Sequence, residues 1–164
     1  MTDAPPVSAA RRLRTVFGAF PSGVTALAAH VDGRPMGMVA SSFTSVSLDP
    51  PLVSVCIGTG SATWPTLSKA TLLGVSVLGE THQDACLSLS AKDSPDRFAE
   101  LDWHATAEGA VLLSAAAAWF VCSIHRVVPA GDHDIVVLSL HDYGRDTEVG
   151  PLVFHGGTFR KLAS

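Results

Sequence analysis

The chain has 164 residues, of which 47% are hydrophobic and 16% charged. A domain commonly takes roughly 100–200 residues, so this length predicts one, and the hydrophobicity excludes intrinsic disorder. With 11 Lys and Arg against 15 Asp and Glu the formal charge is −4, which argues against nucleic-acid binding, a function that asks for a basic patch.

Residues 1–8 (MTDAPPVS) are polar and Pro-rich and predict a flexible N-terminal segment, followed by a single domain over 9–164. The start has no apolar core of the kind a signal peptide needs. No apolar run reaches the roughly 18 residues of a membrane-spanning helix, so no membrane association is expected. Cys56, Cys86 and Cys122 are widely spaced with no CxxC pair, which fits a reducing cytoplasm.

Leu13, Val16, Phe17 and Phe20 recur at helical spacing, with Ser8 as N-cap and Pro21 as the stop. Val24–His30 reads as a strand, Asp32-Gly33 as a hairpin turn and Met36–Ala40 as the return strand. A hydroxyl-rich stretch follows, broken at Asp49-Pro50-Pro51. Leu52–Ile57 reads as a buried strand and Gly58–Gly60 as a loop. Ser61 or Thr63 caps a short helix containing Pro65, and Thr71–Leu78 is a strand. Thr81 caps a helix through Leu89, and Asp93–Leu101 is a second short helix. Ala117–Val128 and His133–Tyr143 form a hairpin about Pro129–Asp132, and 151–155 and 158–162 a last pair about Gly156-Gly157. Mostly strands with short helices between them, this order predicts a closed or partly closed antiparallel barrel.

Three segments carry candidate chemistry. Ser41, Ser42, Thr44, Ser45 and Ser47 crowd hydroxyls into seven positions. Such a run suits a phosphate or a heteroaromatic ring that needs several donors, and equally a solvated strand edge. His133 follows a tight turn between Asp132 and Asp134, carboxylates that would raise its pKa if close. It would sit at a pocket mouth or stand exposed on the turn. In Ser90–Phe98, Lys92 and Arg97 are cations that could meet a phosphate or simply line a solvated loop. His30, His82, His104, His125, His141 and His155 show no HxxxH or HExxH spacing, so no metal site is expected. Position 63 is Thr, so Gly58-Thr-Gly60 does not open a GxGxxG fingerprint, and there is no GxSxG or P-loop. Cys56 and Cys122 lie in apolar strands and read as small core residues.

Several of these pieces stand in a recognisable order: Arg12–Phe20 with Pro21-Ser22-Gly23-Val24-Thr25, then Gly37-Met38, then Ser41–Pro51 as SSFTSVSLDPP, then Gly131-Asp132-His133, then Pro151–Phe154 with Gly157. Together, over roughly residues 10–162, they resemble the flavin reductase family with the split-barrel FMN-binding fold. The family comprises small NAD(P)H:flavin oxidoreductases that supply reduced flavin to two-component monooxygenases. The resemblance implies a mainly β, homodimeric split antiparallel barrel with short peripheral helices. It implies FMN or FAD as cofactor and NADH or NADPH as co-substrate, with NADH favoured by the scarcity of cations. Met38, Val39, Ala40, Ser41 and Ser42, with Ser45, Val46 and Ser47, would line the flavin ring and ribityl chain, largely through backbone groups. Cys56, Ile57 and Gly58 would follow on the adjacent strand. Ser61, Thr63, Ser90 and Lys92 would lie on the phosphate side. His133 would be the catalytic residue facing the nicotinamide, with Phe159 on the same face. Val39 departs from the Thr that often follows Gly-Met in the family; either flavin affinity would be lower for it or Ser41 would substitute. The activity so implied is hydride transfer from NADH or NADPH to the flavin, which passes to a flavin-dependent monooxygenase. The alternative on the same barrel is a non-catalytic flavin-binding or electron-carrier protein.

Overall fold

A computed structural model describes residues 8–163 apart from Asp93 and Pro95. Of the described residues 49% are in strands and 14% in helices, which makes the protein mainly β. Helix α1 spans Ala9–Phe17, and the Ser8 hydroxyl caps it by accepting from the Arg11 N–H at 3.3 Å. The strands β1 (Ser22–Gly23), β2 (Thr25–Val31), β3 (Arg34–Ala40), β4 (Thr44–Leu48) and β5 (Pro51–Gly58) follow. Helix α2 (Trp64–Leu67), strand β6 (Leu73–Val77) and helix α3 (Gln83–Ser90) come next. The remainder is β7 (Trp103–Ala105), β8 (Val111–Leu113), β9 (Ala118–Ala130), β10 (His133–Arg145), β11 (Val153–His155) and β12 (Thr158–Arg160).

The main sheet has seven antiparallel strands in the order β3-β2-β6-β9-β10-β5-β4, flanked by a β1-β11-β12 sheet and a β7-β8 pair. Among the described residues the ladder does not close: β3 and β4 are its two edges. The β2–β3 turn is built on Asp32 and Gly33, both at positive φ (51° and 78°), which matches the twist of a two-residue hairpin.

Strand β2 reads as one apolar run because both its faces are covered. Leu27 and Ala29 join a core with Val53, Val55, Ile57, Leu73, Val75, Val136 and Leu138. Ala26 and Ala28 face a second core with Leu78, Cys86, Leu89, Phe98, Val111 and Leu113. Small residues bring these layers close: a Cβ on Gly74 would stand 1.9 Å from the Val111 carbonyl oxygen.

Four expectations are corrected. Helix α1 ends at Phe17 rather than at Pro21, because Gly18, Ala19 and Phe20 tighten into turns that satisfy the last carbonyls. Thr81 does not cap α3; His82 holds that position, and its Nδ1 accepts from the Gly79 N–H at 3.0 Å. The described residues of Asp93–Leu101 form turns rather than a helix. There Phe98 is buried in the second core and Arg97 donates to backbone carbonyls, so tertiary contacts override helical preference. Cys56 is only half-buried, since the alternation of β5 turns Val55 and Ile57 inward and Cys56 away from them. Strands β1, β7 and β8, of two or three residues, carry no sequence signal of their own.

Candidate functional site

The two sheet edges, β3 and β4, are consecutive in the chain, joined by Ser41–Phe43. Each has a strand partner on one side only, which leaves backbone donors and acceptors along its outer edge. The joining loop is held at two points. Phe43 stacks on Phe120 with ring centroids 5.5 Å apart. The Ser42 hydroxyl donates to the Cys56 carbonyl at 3.1 Å and accepts from the Cys56 N–H at 2.8 Å. Behind the loop, buried Thr25 donates its hydroxyl to the Ala40 carbonyl at 2.9 Å. Ser41 is left exposed between these anchors.

Successive stretches of β3 wall two clefts. The larger, about 600 Å³, is lined by Arg34, Met36 and Gly37 with Thr63, Arg97 and Phe98. Gly37 is needed here, since a Cβ would lie 2.8 Å from both the Phe98 ring and the Leu27 carbonyl oxygen. The Arg97 guanidinium donates to Thr63 Oγ1 at 3.1 Å. The smaller cavity, about 230 Å³, gathers Val39 and Ala40 from the end of β3, Ser41 from the joining loop, Ser90 from α3, and Phe154 and Phe159. The Ser90 hydroxyl donates back to the Cys86 carbonyl at 2.7 Å, as expected for a serine in the last turn of a helix.

His133 opens β10 directly opposite Gly58 of β5. Its Nδ1–H donates to Asp132 Oδ1 at 2.8 Å, and a Cβ on Gly58 would meet its Nε2 at 3.7 Å. The hydrogen bond from the ring, then the ring's charge when protonated, hold the Asp132 carboxyl below its ordinary value, with a smaller pull from Arg14. The Thr59 N–H and hydroxyl both donate to the Asp132 carbonyl, at 3.0 and 3.1 Å, tying the hairpin tip to the loop after β5. His133 lines neither cleft. A short path nevertheless joins it to β3: the Ser61 N–H donates to the Gly58 carbonyl at 3.0 Å, and Ser61 Oγ lies 4.0 Å from Met38 Sδ.

The expected residues thus fall into groups. Val39, Ala40, Ser41, Ser90 and Phe159 meet in the small cavity, and Thr63 lies in the large cleft. Ser42, Cys56, Gly58 and His133 cluster along β5. Ser61 accepts from the Trp64 N–H at 3.1 Å and so caps α2. Ile57 is 1% exposed and can offer only backbone groups. Ser45 and Val46 are exposed and Ser47 half-buried on β4, around a bulge in its pairing with β5, and they line neither cleft. Lys92 is exposed; its carbonyl accepts from Arg97. Sequence reasoning left Arg34, Met36 and Phe98 out of the site. The available signal was the Arg97-Phe98 pair, whose value depends on Phe98 reaching Gly37, 61 positions away in the chain. Among the described residues no three His, Cys, Asp or Glu side chains are grouped to hold a metal ion, and no helix is long and apolar enough to cross a membrane.

A family model described as a flavin reductase like domain matches residues 17–163. The stachydrine N-demethylase reductase subunit of Rhizobium meliloti is 43% identical over 128 residues, covering 77% of this chain and 55% of that protein. The reductase subunit of a flavin-dependent monooxygenase from Rhodococcus jostii is 35% identical over 149 residues, covering 91% and 76%. The Streptomyces globisporus NADH:FAD oxidoreductase, solved in complex with NAD and FAD fragments, superposes with a TM-score of 0.88 at 38% identity, covering 98% of each chain. The chain spans about half the length of two of the curated relatives it matches. With the family model spanning nearly the whole of it, the chain belongs to the flavin reductase family.

Proposed function

We propose that this chain is an NAD(P)H:flavin oxidoreductase that uses NADH or NADPH to reduce FMN or FAD and passes the reduced flavin to a flavin-dependent monooxygenase. The observation that carries the reading is the pair of clefts on β3. One offers the Thr63 hydroxyl beside the positive charges of Arg34 and Arg97, a setting suited to a phosphate. The other offers apolar and aromatic walls suited to a flat ring. The donor set therefore fits a flavin. The flavin, when bound, supplies the hydride-accepting ring and the nicotinamide supplies the hydride.

The chain's own work is to bind and orient. Thr63, Ser61 and Lys92 are assigned to the phosphate side; Ser90, expected there too, lines the small cavity and is assigned to the ring side instead. Backbone groups of Met38–Ser42, with β4 at Ser45–Ser47 and β5 at Cys56–Gly58, are assigned to the ring and ribityl chain. N–H donors aimed at a ring edge stabilise the negative charge that develops on reduction. Val39 removes a hydroxyl from this set but not its backbone N–H, so binding survives. Phe159 and His133 are assigned to the nicotinamide. Asp132 fixes the His133 tautomer, which leaves Nε2 to orient the carboxamide. Hydride transfer needs no proton, so His133 acts by orientation.

A homodimer is part of the proposal. Helix α1 buries none of its residues, and Leu13, Val16 and Phe17 are exposed together with Phe20 and Leu48 of β4. Apolar side chains left exposed along one face of a helix are the kind of surface a second subunit covers. Reduced nicotinamide is a cytoplasmic currency, and the cytoplasm is the proposed location.

The test is consumption of NADH, then NADPH, by the purified protein in air as FMN or FAD is titrated with no oxygenase present. The reading expects loss of the nicotinamide absorbance that saturates in flavin. Flavin that binds while both nicotinamides stay untouched would overturn it.

A further inference from the structure

Arg97 lies at the phosphate side of the proposed site, and the structure gives its guanidinium a task other than direct ligand binding. Nη1 reaches Thr63 Oγ1 at 3.1 Å and the carbonyls of Gly37 and Leu89 at 3.4 Å each. Nη2 reaches the Lys92 carbonyl at 3.4 Å. The group therefore ties together β3, the residue before α2, the last turn of α3 and the loop that follows it. Its own placement is fixed by its neighbour. Phe98 is 4% exposed, packs where Gly37 has no side chain and meets Trp103 edge-on at 6.1 Å.

The consequence falls on Thr63, which lines the large cleft and makes no capping hydrogen bond for α2. A hydroxyl has one proton and can accept as well as donate. With its oxygen accepting from a guanidinium, the Thr63 hydroxyl is polarised, and its own proton points away from Arg97. We propose that Arg97 is a positioning residue: it occupies the acceptor side of the Thr63 hydroxyl and turns its O–H into the cleft as a donor to an anionic group of the ligand. This rests on the flavin reading for the identity of that group, the phosphate that FMN and FAD carry and riboflavin lacks. Arg97 then sets the preference for phosphorylated flavins without touching them.

The experiment titrates FMN and riboflavin into the full-length protein and follows quenching of flavin fluorescence, for the wild type, Thr63→Val, Arg97→Met and the double variant. Each single change should weaken FMN by roughly tenfold and leave riboflavin unchanged. The double variant should be no weaker for FMN than either single one, because both remove the same donor. Equal weakening of both flavins in Arg97→Met would overturn the proposal by reducing Arg97 to a prop of the fold. Single effects that multiply would overturn it by showing that Arg97 holds the phosphate itself. Should Arg97→Met not fold, Arg97→Lys keeps a donor for Thr63 while losing the fork that spans the carbonyls. It should keep the wild-type ratio of FMN to riboflavin affinity, and a tenfold drop in that ratio overturns the proposal. A wild-type protein that binds neither flavin refutes the functional reading itself, and the role of Arg97 falls with it.

Discussion

Replacing Ser42 by alanine removes the side chain that bonds both polar groups of Cys56. The pairing of β4 with β5 starts at Thr44 opposite Ser54. Beyond it, the Cys56 N–H and C=O have no strand partner on that side, and the Ser42 hydroxyl takes the place of one, at 2.8 and 3.1 Å. Two such hydrogen bonds contribute about 0.5–1.5 kcal/mol each, and their loss strands a partly buried N–H, so Ser42→Ala should cost about 2 kcal/mol. For a domain of this size that lowers Tm by roughly 4–8 °C. The assay is thermal unfolding by circular dichroism of the flavin-free protein, paired with a flavin titration. The expected result is a lower Tm accompanied by weaker flavin binding, because Ser41–Phe43 loses one of its two anchors. An unchanged Tm would refute the clamp. Flavin binding lost at constant Tm would make Ser42 a ligand contact instead.

Three further outcomes are expected. Gly74→Ala would drive a Cβ against the Val111 carbonyl oxygen and should cost about 3 kcal/mol or more in urea unfolding; Gly60→Ala, with nothing within 4 Å, should stay within about 0.5 kcal/mol. Burial lowers the pKa of His82 below its ordinary 6.5, against a smaller opposite pull from the Ser114 carbonyl. The unfolded chain therefore binds more protons between the folded value and 6.5, and stability should fall as pH drops through 6.5. The dependence of the urea midpoint on pH should be shallower in His82→Gln, and an unaltered slope would exclude His82 as its source. Burial also pushes the Cys122 thiol up to about 12, so a thiol reagent at neutral pH should label Cys122 only after denaturation, as peptide mapping would show.

What could be read from the sequence was mostly local. The β2–β3 and β9–β10 hairpins announce themselves through Asp32-Gly33 and Gly131, whose positive φ the turns require. Periodicity identifies α1 as amphipathic, but it cannot say that the apolar stripe lies uncovered in the single chain. The order β3-β2-β6-β9-β10-β5-β4 depends on long-range pairing that no local pattern encodes. Within the site, the expected Val39, Ala40, Ser41, Ser90 and Phe159 come from three elements and the β3–β4 loop and share one cavity. The task of Arg97 was not legible, because it follows from Phe98 packing against a glycine on a distant strand. Ser42 shows the opposite case. A hydroxyl that composition marks as a ligand donor is committed to the protein's own backbone.

The central claim is best tested by mixing the purified protein anaerobically with FMN and NADH, with no oxygenase and no other substrate, and following the visible absorbance of the flavin. The account predicts protein-dependent bleaching of the flavin matched mole for mole by loss of NADH. A flavin that binds yet stays oxidised with either nicotinamide would contradict it and leave a flavin-binding protein without reductase turnover.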